Sequence, residues 1–335
     1  MKIDFSYNKR HIDYVSGYIF KGKNYRCSYV RYDSLYRNPA PGTEKVEFYF
    51  FQPKKEVRAS TLILHGLGSR NIKFLLWLGP HLANAGVSTS ILILPGNYTR
   101  VEDESMSGRS YMYPDLNIMY KFWEHGVIDT LTTIDLLEQE GFWKENNLIL
   151  GYCLGGMIST IVGAIDNRIN HFLFMTTGGH MPRIIHQSPA TVFARRIMDK
   201  GFKTDFNLSN MEILYDIYNE QFPKVKKMDL NQIVSDESIH PLFRIDPISY
   251  AHLLDMKKVT FIDAYFDSTL PVTSRKVLYN EMYGANRKIL PISHVNWLPF
   301  GYPVAKYILH KLNINAKEAK KALLTRETIE NPLEK

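Results

Sequence analysis

The sequence predicts an α/β fold in which a doubly wound, mostly parallel sheet carries an inserted helical cap. Three observations lead there. Short, continuous apolar runs recur along the chain, several ending at glycine. Helical stretches alternate with them. One gap between successive runs is far longer than an ordinary crossover. Continuous apolar runs suit strands buried on both faces, which is the mark of a parallel sheet. Regular alternation of strand and helix builds such a sheet layer by layer.

Taken in order, Asn24 to Asp33 and Val46 to Phe51 are rich in aromatic and β-branched residues, with Pro39, Pro41 and Gly42 between them. They read as two early strands around a turn. Six apolar runs follow: Thr61 to Leu64, Ser90 to Leu94, Asn147 to Leu150, His171 to Met175, Val259 to Ile262 and Lys288 to Ile292. Between them, helical patterning covers Phe74 to Ala85, Ile118 to Gln139, Leu154 to Ile165, Thr273 to Glu281 and Val304 to Leu312. From His180 to Tyr250, roughly 70 residues separate two core strands, with helical pieces at Ala190 to Asp199 and Met211 to Tyr218. Residues 1–179 and 251–315 are therefore expected to form one discontinuous core. Residues 180–250 form a helical cap, and residues 316–335 a charged amphipathic tail with a frayed end.

Composition narrows the function classes. The chain has 335 residues, a length that large α/β folds reach as one unit, and 45% are hydrophobic, enough for a sizeable core. The net charge of +7 is spread along the chain without the concentrated basic stripe of a nucleic-acid binder. No apolar run approaches the ~20 residues that span a bilayer. Met1 to Arg10 lacks the apolar stretch of a signal peptide. The expectation is a soluble cytoplasmic protein with a small-molecule partner; oligomeric state is not legible. Of the two cysteines, Cys27 lies in an aromatic strand pattern and is expected to be a buried structural thiol. No metal-ligand spacing occurs, so neither a metal nor an organic cofactor is expected.

The sharpest local signal is Gly151-Tyr152-Cys153-Leu154-Gly155-Gly156, between an apolar strand and a helical stretch. It has the form of a nucleophile elbow, G-x-nucleophile-x-G, with cysteine as the nucleophile. So sharp a turn strains the nucleophile's backbone and leaves room only for glycine on either side. A thiol at a helix N-terminus gains from the positive end of the helix dipole. The Leu154 N–H then faces a developing oxyanion. The alternative for Cys153 is a small buried hydrophobe amid glycines that serve packing. His65-Gly66-Leu67-Gly68 follows the strand at 61–64, where this elbow's second oxyanion donor belongs, and Leu67 N–H is the candidate. A dinucleotide-binding glycine loop would need a third glycine where Asn71 stands. Later, Asp267 and His294 fall just beyond two further core strands, at the carboxyl edge where ligands bind in open α/β sheets. Asp263 competes as the acid but lies in or near its strand. Asp267 precedes Pro271 in a loop that suits a carboxylate turning toward the histidine.

These motifs, in the order nucleophile, acid, base, resemble the α/β-hydrolase superfamily over about residues 45–312 with the cap excepted. The cysteine elbow is similar to that of dienelactone hydrolases, which carry a Cys-Asp-His triad and open activated cyclic esters. It is also similar to that of polyhydroxyalkanoate synthases, which transfer hydroxyacyl groups from coenzyme A thioesters. The resemblance implies Cys153 as nucleophile, Asp267 as acid and His294 as base. The chain departs from the synthases in its His65-Gly66-Leu67-Gly68 loop and from compact dienelactone hydrolases in its long cap. The expected function is hydrolysis of carboxylic esters, lactones or thioesters through an acyl-enzyme. The alternatives are acyl transfer through the same intermediate, or a non-catalytic binding module on the same fold.

Overall fold

In the computed structural model, residues 2–68, 72–102, 105–297 and 301–314 are described. The tail expected at 316–335 lies outside them. The described residues form a nine-stranded sheet of β1 (Tyr14–Lys21), β2 (Tyr25–Asp33), β3 (Lys45–Pro53), β4 (Ala59–Leu64), β5 (Val87–Ile93), β6 (Asn147–Tyr152), β7 (Phe172–Met175), β8 (Val259–Ala264) and β9 (Asn286–Leu290). Their spatial order is β1-β2-β3-β5-β4-β6-β7-β8-β9. From β1 through β5 neighbours pair antiparallel; from β5 to β9 they pair parallel. Every residue of β4 to β8 is buried, as the continuous apolar runs require.

The exceptions lie at the two sheet edges. The sequence reading did not anticipate β1, whose residues are nearly all exposed, so no face of it carries a hydrophobic signature. The run at Lys288 to Ile292 was expected to be buried on both faces. Instead β9 is a largely exposed edge strand that stops before Pro291, a residue unable to donate to a ladder.

Helices fill the connections. The single helix expected over Phe74 to Ala85 is broken into α1 (Lys73–Leu76) and α2 (Leu78–Asn84), with the join at Trp77. Pro80 explains the break: within a continuous helix its ring would clash with the carbonyl of residue 76. α3 (Leu116–Gln139) begins at Asp115, whose side chain accepts from the Asn117 and Ile118 N–H groups. α4 (Leu154–Ile165) follows β6 directly and packs on α3.

Between β7 and β8 lie α5 (Met181–Gln187), α6 (Val192–Asp199), α7 (Met211–Val225) and α8 (Leu230–Ser235), followed by short 3-10 turns. α9 (Val272–Glu281) and α10 (Gly301–Lys311) complete the core, with α10 against α2. No described helix is long and apolar enough to cross a membrane.

Candidate active site

Cys153 stands at the turn between β6 and α4 with φ 52° and ψ −112°, a region that side-chain-bearing residues rarely enter. Its neighbours are glycine for steric reasons. A Cβ at Gly151 would fall 2.5 Å from Gly156 Cα, and one at Gly156 would fall 2.6 Å from Thr177 Cβ. At Gly155 the added carbon would strike the Leu64 carbonyl, joining the elbow closely to β4. Backbone hydrogen bonds fix the turn: Cys153 N–H donates to Met175 O at 3.0 Å and Gly155 N–H to His65 O at 3.0 Å. The Thr177 hydroxyl donates to Cys153 O at 2.8 Å. Among the described residues, the Leu154 N–H meets no protein acceptor, as befits the first turn of a helix.

The loop after β4 runs beside this turn. His65 is fully buried and acts within the loop. Its Nδ1 contacts Gly66 O at 2.8 Å and its Nε2 accepts the Leu94 N–H at 3.0 Å. Burial lowers its pKa to about 4, so the ring stays neutral, donating from Nδ1 and accepting at Nε2. Gly68 N–H donates to Asn97 Oδ1 at 3.0 Å, with Gly68 at φ +68°. Asn97 is buried in the turn after β5 and was not singled out from sequence. The Leu67 N–H has no acceptor among the described residues.

The acid and base candidates come from loops after β8 and β9. His294 Nδ1 lies 2.8 Å from Asp267 Oδ2. Asp267 Oδ1 accepts the N–H groups of Thr269 and Leu270 at 2.8 and 3.0 Å, which orients the carboxylate. Burial would raise the Asp267 pKa, but the His294 hydrogen bond and charge and these N–H groups bring it below the ordinary value. For His294, burial opposes the charged form. Electrostatic interaction with Cys153 and the hydrogen bond and charge of Asp267 outweigh it and raise the pKa to about 10. Asp263, the rival acid, is held by Arg275 and by Arg287, the latter at 2.5 Å. The structure thus pairs His294 with Asp267 and turns Asp263 toward arginine. Cys27 is far from this chemistry: it is buried, and burial raises its thiol pKa to about 12.

Other contacts are not legible in the sequence. The Tyr152 hydroxyl donates to His294 O at 2.8 Å, and its ring lies 5.3 Å from the His294 ring. Arg275 Nε lies 3.7 Å from Asp267 Oδ2, and its guanidinium also donates to Ala264 O at 3.0 Å. Ser188, at the end of α5, donates to Thr269 O at 2.6 Å, so the 180–250 segment touches the Asp267 loop. Among the described residues, no cluster of three or more His, Cys, Asp or Glu is arranged to hold a metal ion.

Neither a family profile nor a curated protein sequence matches the chain. Solved structures do. The acetyl xylan esterase from Paenibacillus sp. R4 superposes with a TM-score of 0.62 at 14% identity, covering 90% of this chain and 89% of that one. Acetyl xylan esterase 1 from Thermoanaerobacterium sp. JW/SL YS485 gives 0.55 at 14% identity, covering 90% and 89%. The α/β hydrolase GrgF from Penicillium sp. sh18 gives 0.50 at 12% identity, covering 86% and 98%. At such identities the likeness speaks for the fold, and the fold is that of the α/β hydrolases.

Proposed function

We propose that the chain is an esterase-like hydrolase that cleaves carboxylic esters, lactones or thioesters with Cys153 as nucleophile, His294 as acid–base and Asp267 as the group orienting His294. The observation that carries this reading is Cys153 on a strained strand-to-helix turn, in a fold where His294 Nδ1 meets the buried Asp267 carboxylate at 2.8 Å. The esterase neighbours support an ester-type substrate, as analogy from the fold.

His294, its pKa raised to about 10, takes the Cys153 proton as the reaction begins. The thiolate attacks the acyl carbon, forming a C–S bond while the carbonyl electron pair moves to oxygen. The Leu154 and Leu67 N–H groups stabilise that oxyanion. Collapse expels the alkoxide or thiolate leaving group, which takes the proton from His294. Neutral His294 then removes a proton from water, and the resulting attack on the thioester releases the acid and the Cys153 thiolate. Asp267 accepts from Nδ1–H throughout, presenting the other ring nitrogen to the reacting atoms. A thiolate is a good leaving group, so activated acyl substrates are favoured over plain amides.

We further propose that residues 180–250 act as a cap over the carboxyl edge and shape substrate choice. Their hydrogen bond from Ser188 to the Asp267 loop supports that position.

The test is a slowly deacylating activated ester, rapid quench and intact-mass spectrometry, with peptide mapping. An acyl adduct on Cys153 is expected. Cys153→Ala should abolish the adduct and lower kcat by about a million-fold. An adduct on another residue, or full turnover by Cys153→Ala, overturns the nucleophile assignment. Product analysis with and without an acceptor alcohol separates hydrolysis from acyl transfer.

A further inference from the structure

We infer that Tyr152 is a positioning residue, holding the base loop in register with the nucleophile and the oxyanion loop; this rests on the hydrolase reading above. The two residues that must exchange a proton, Cys153 and His294, come from opposite kinds of support. Cys153 is built into the buried centre of the sheet between β6 and α4. His294 sits on a loop that leaves β9, the exposed edge strand. Asp267 fixes the direction of the imidazole, but it too comes from a loop, the one after β8. Tyr152 links that outer structure to the rigid centre. It is covalently joined to Cys153, and its buried hydroxyl donates to the backbone carbonyl of His294 at 2.8 Å.

Its ring meets the other parts of the site. It packs at 5.3 Å on the His294 ring, 5.7 Å on Trp297 and 6.1 Å on Phe74. On the other side it crowds the oxyanion loop. A Cβ at Gly66 would come within 2.9 Å of Tyr152 Cε1 and 3.2 Å of Cys153 Cβ. One side chain therefore bears on the base, its backbone and the oxyanion loop together. Burial and the nearby Cys153 and Asp267 charges push its phenol pKa well up, so it remains a neutral donor. A ring serving only to fill space would need neither the hydroxyl nor its acceptor on the backbone of the base itself.

Tyr152→Phe removes the hydroxyl and keeps the ring. Tyr250→Phe is the matched control, because Tyr250 also donates from a buried hydroxyl to a backbone carbonyl, Arg244 O at 2.6 Å, outside the site. Both variants should lose similar stability in urea unfolding. Only Tyr152→Phe should lower kcat, by about ten- to a hundredfold, with KM unchanged, since small misplacements of reacting groups act on the rate. In histidine-labelled NMR, only Tyr152→Phe should move the His294 titration, downward, as the imidazole drifts from its anionic neighbours. Equal kinetics and an unmoved His294 titration in Tyr152→Phe overturn the proposal. If the wild-type chain turns over no ester, the hydrolase reading fails, while the His294 titration still decides whether Tyr152 positions that ring.

Discussion

His294 combines burial with a pKa raised from 6.5 to about 10, and that combination makes folding stability depend on pH. A group whose folded pKa is raised binds its proton more tightly when folded. Its contribution is fully present below about 6.5 and is lost as pH rises through about 10. Urea unfolding of the wild type and of His294→Gln should therefore differ most below about pH 6.5 and converge toward pH 10; a gap that widens with alkalinity would contradict the raised His294 pKa. At this scale the sequence was partly legible. Cys153, Asp267 and His294 each follow a strong apolar run, so their places at strand ends could be read. Tyr152 could be read as part of the elbow but not as a partner of His294, because that bond spans 142 positions. Asn97 and Arg275 were equally silent, since no local pattern marks a side chain that props up a distant loop.

Individual elements were legible where burial was two-sided. β4 to β8 are wholly buried, and their apolar runs showed it; β1 and β9 lie at exposed edges, where the same logic either finds nothing or overstates burial. The segment between β7 and β8 announced itself by length, but its attachment did not. Asp246 is fully buried and accepts from the His180 N–H at 2.9 Å, the Met181 N–H at 2.5 Å and the Ile248 N–H at 3.2 Å. The Tyr218 hydroxyl adds a fourth bond at 3.1 Å. A single carboxylate thus joins the beginning of the segment to its end. Burial raises its pKa to about 6 despite these donors, so its ionised form is costly to hold. Asp246→Ala should leave the buried His180 and Met181 N–H groups without acceptors, at a cost of about 1–3 kcal/mol each. Hydrogen exchange should show the loss first in α5; unchanged protection there would mean that packing alone secures the segment.

Across the whole molecule, a second polar centre lies apart from the reaction. Arg100 and Asp129 are buried and paired at 2.6 Å, with His125 Nε2 3.1 Å from the same carboxylate. Arg100 also donates to Ile93 O and Thr43 O, both at 2.8 Å, so the group joins β5, the segment before β3 and α3. Removing one partner of such a pair strands the other's charge in the interior. Asp129→Ala should cost about 3–5 kcal/mol in urea unfolding. A loss below 1 kcal/mol, near the range of exposed pairs, would mean that water reaches Arg100. Sequence could not reveal this centre, because a charge on a long helix reads as solvated until the fold closes over it.

Under the proposed function, the backbone of Cys153 sets catalysis against conformational preference. At φ 52° and ψ −112°, glycine is the residue that this position would accept most readily. Any side chain here carries a standing conformational cost of about 1–3 kcal/mol. Cys153→Gly and Cys153→Ala both remove the thiol, so the difference between them reports that cost less glycine's entropic disadvantage. Glycine should be the more stable of the two by about 1 kcal/mol, after its own entropic disadvantage of about 0.5–1 kcal/mol. Equal stability would mean that the turn is relaxed. A chain chosen for thermal endurance alone would carry glycine at 153; as the proposed nucleophile, the thiol there trades durability for reactivity at a single residue.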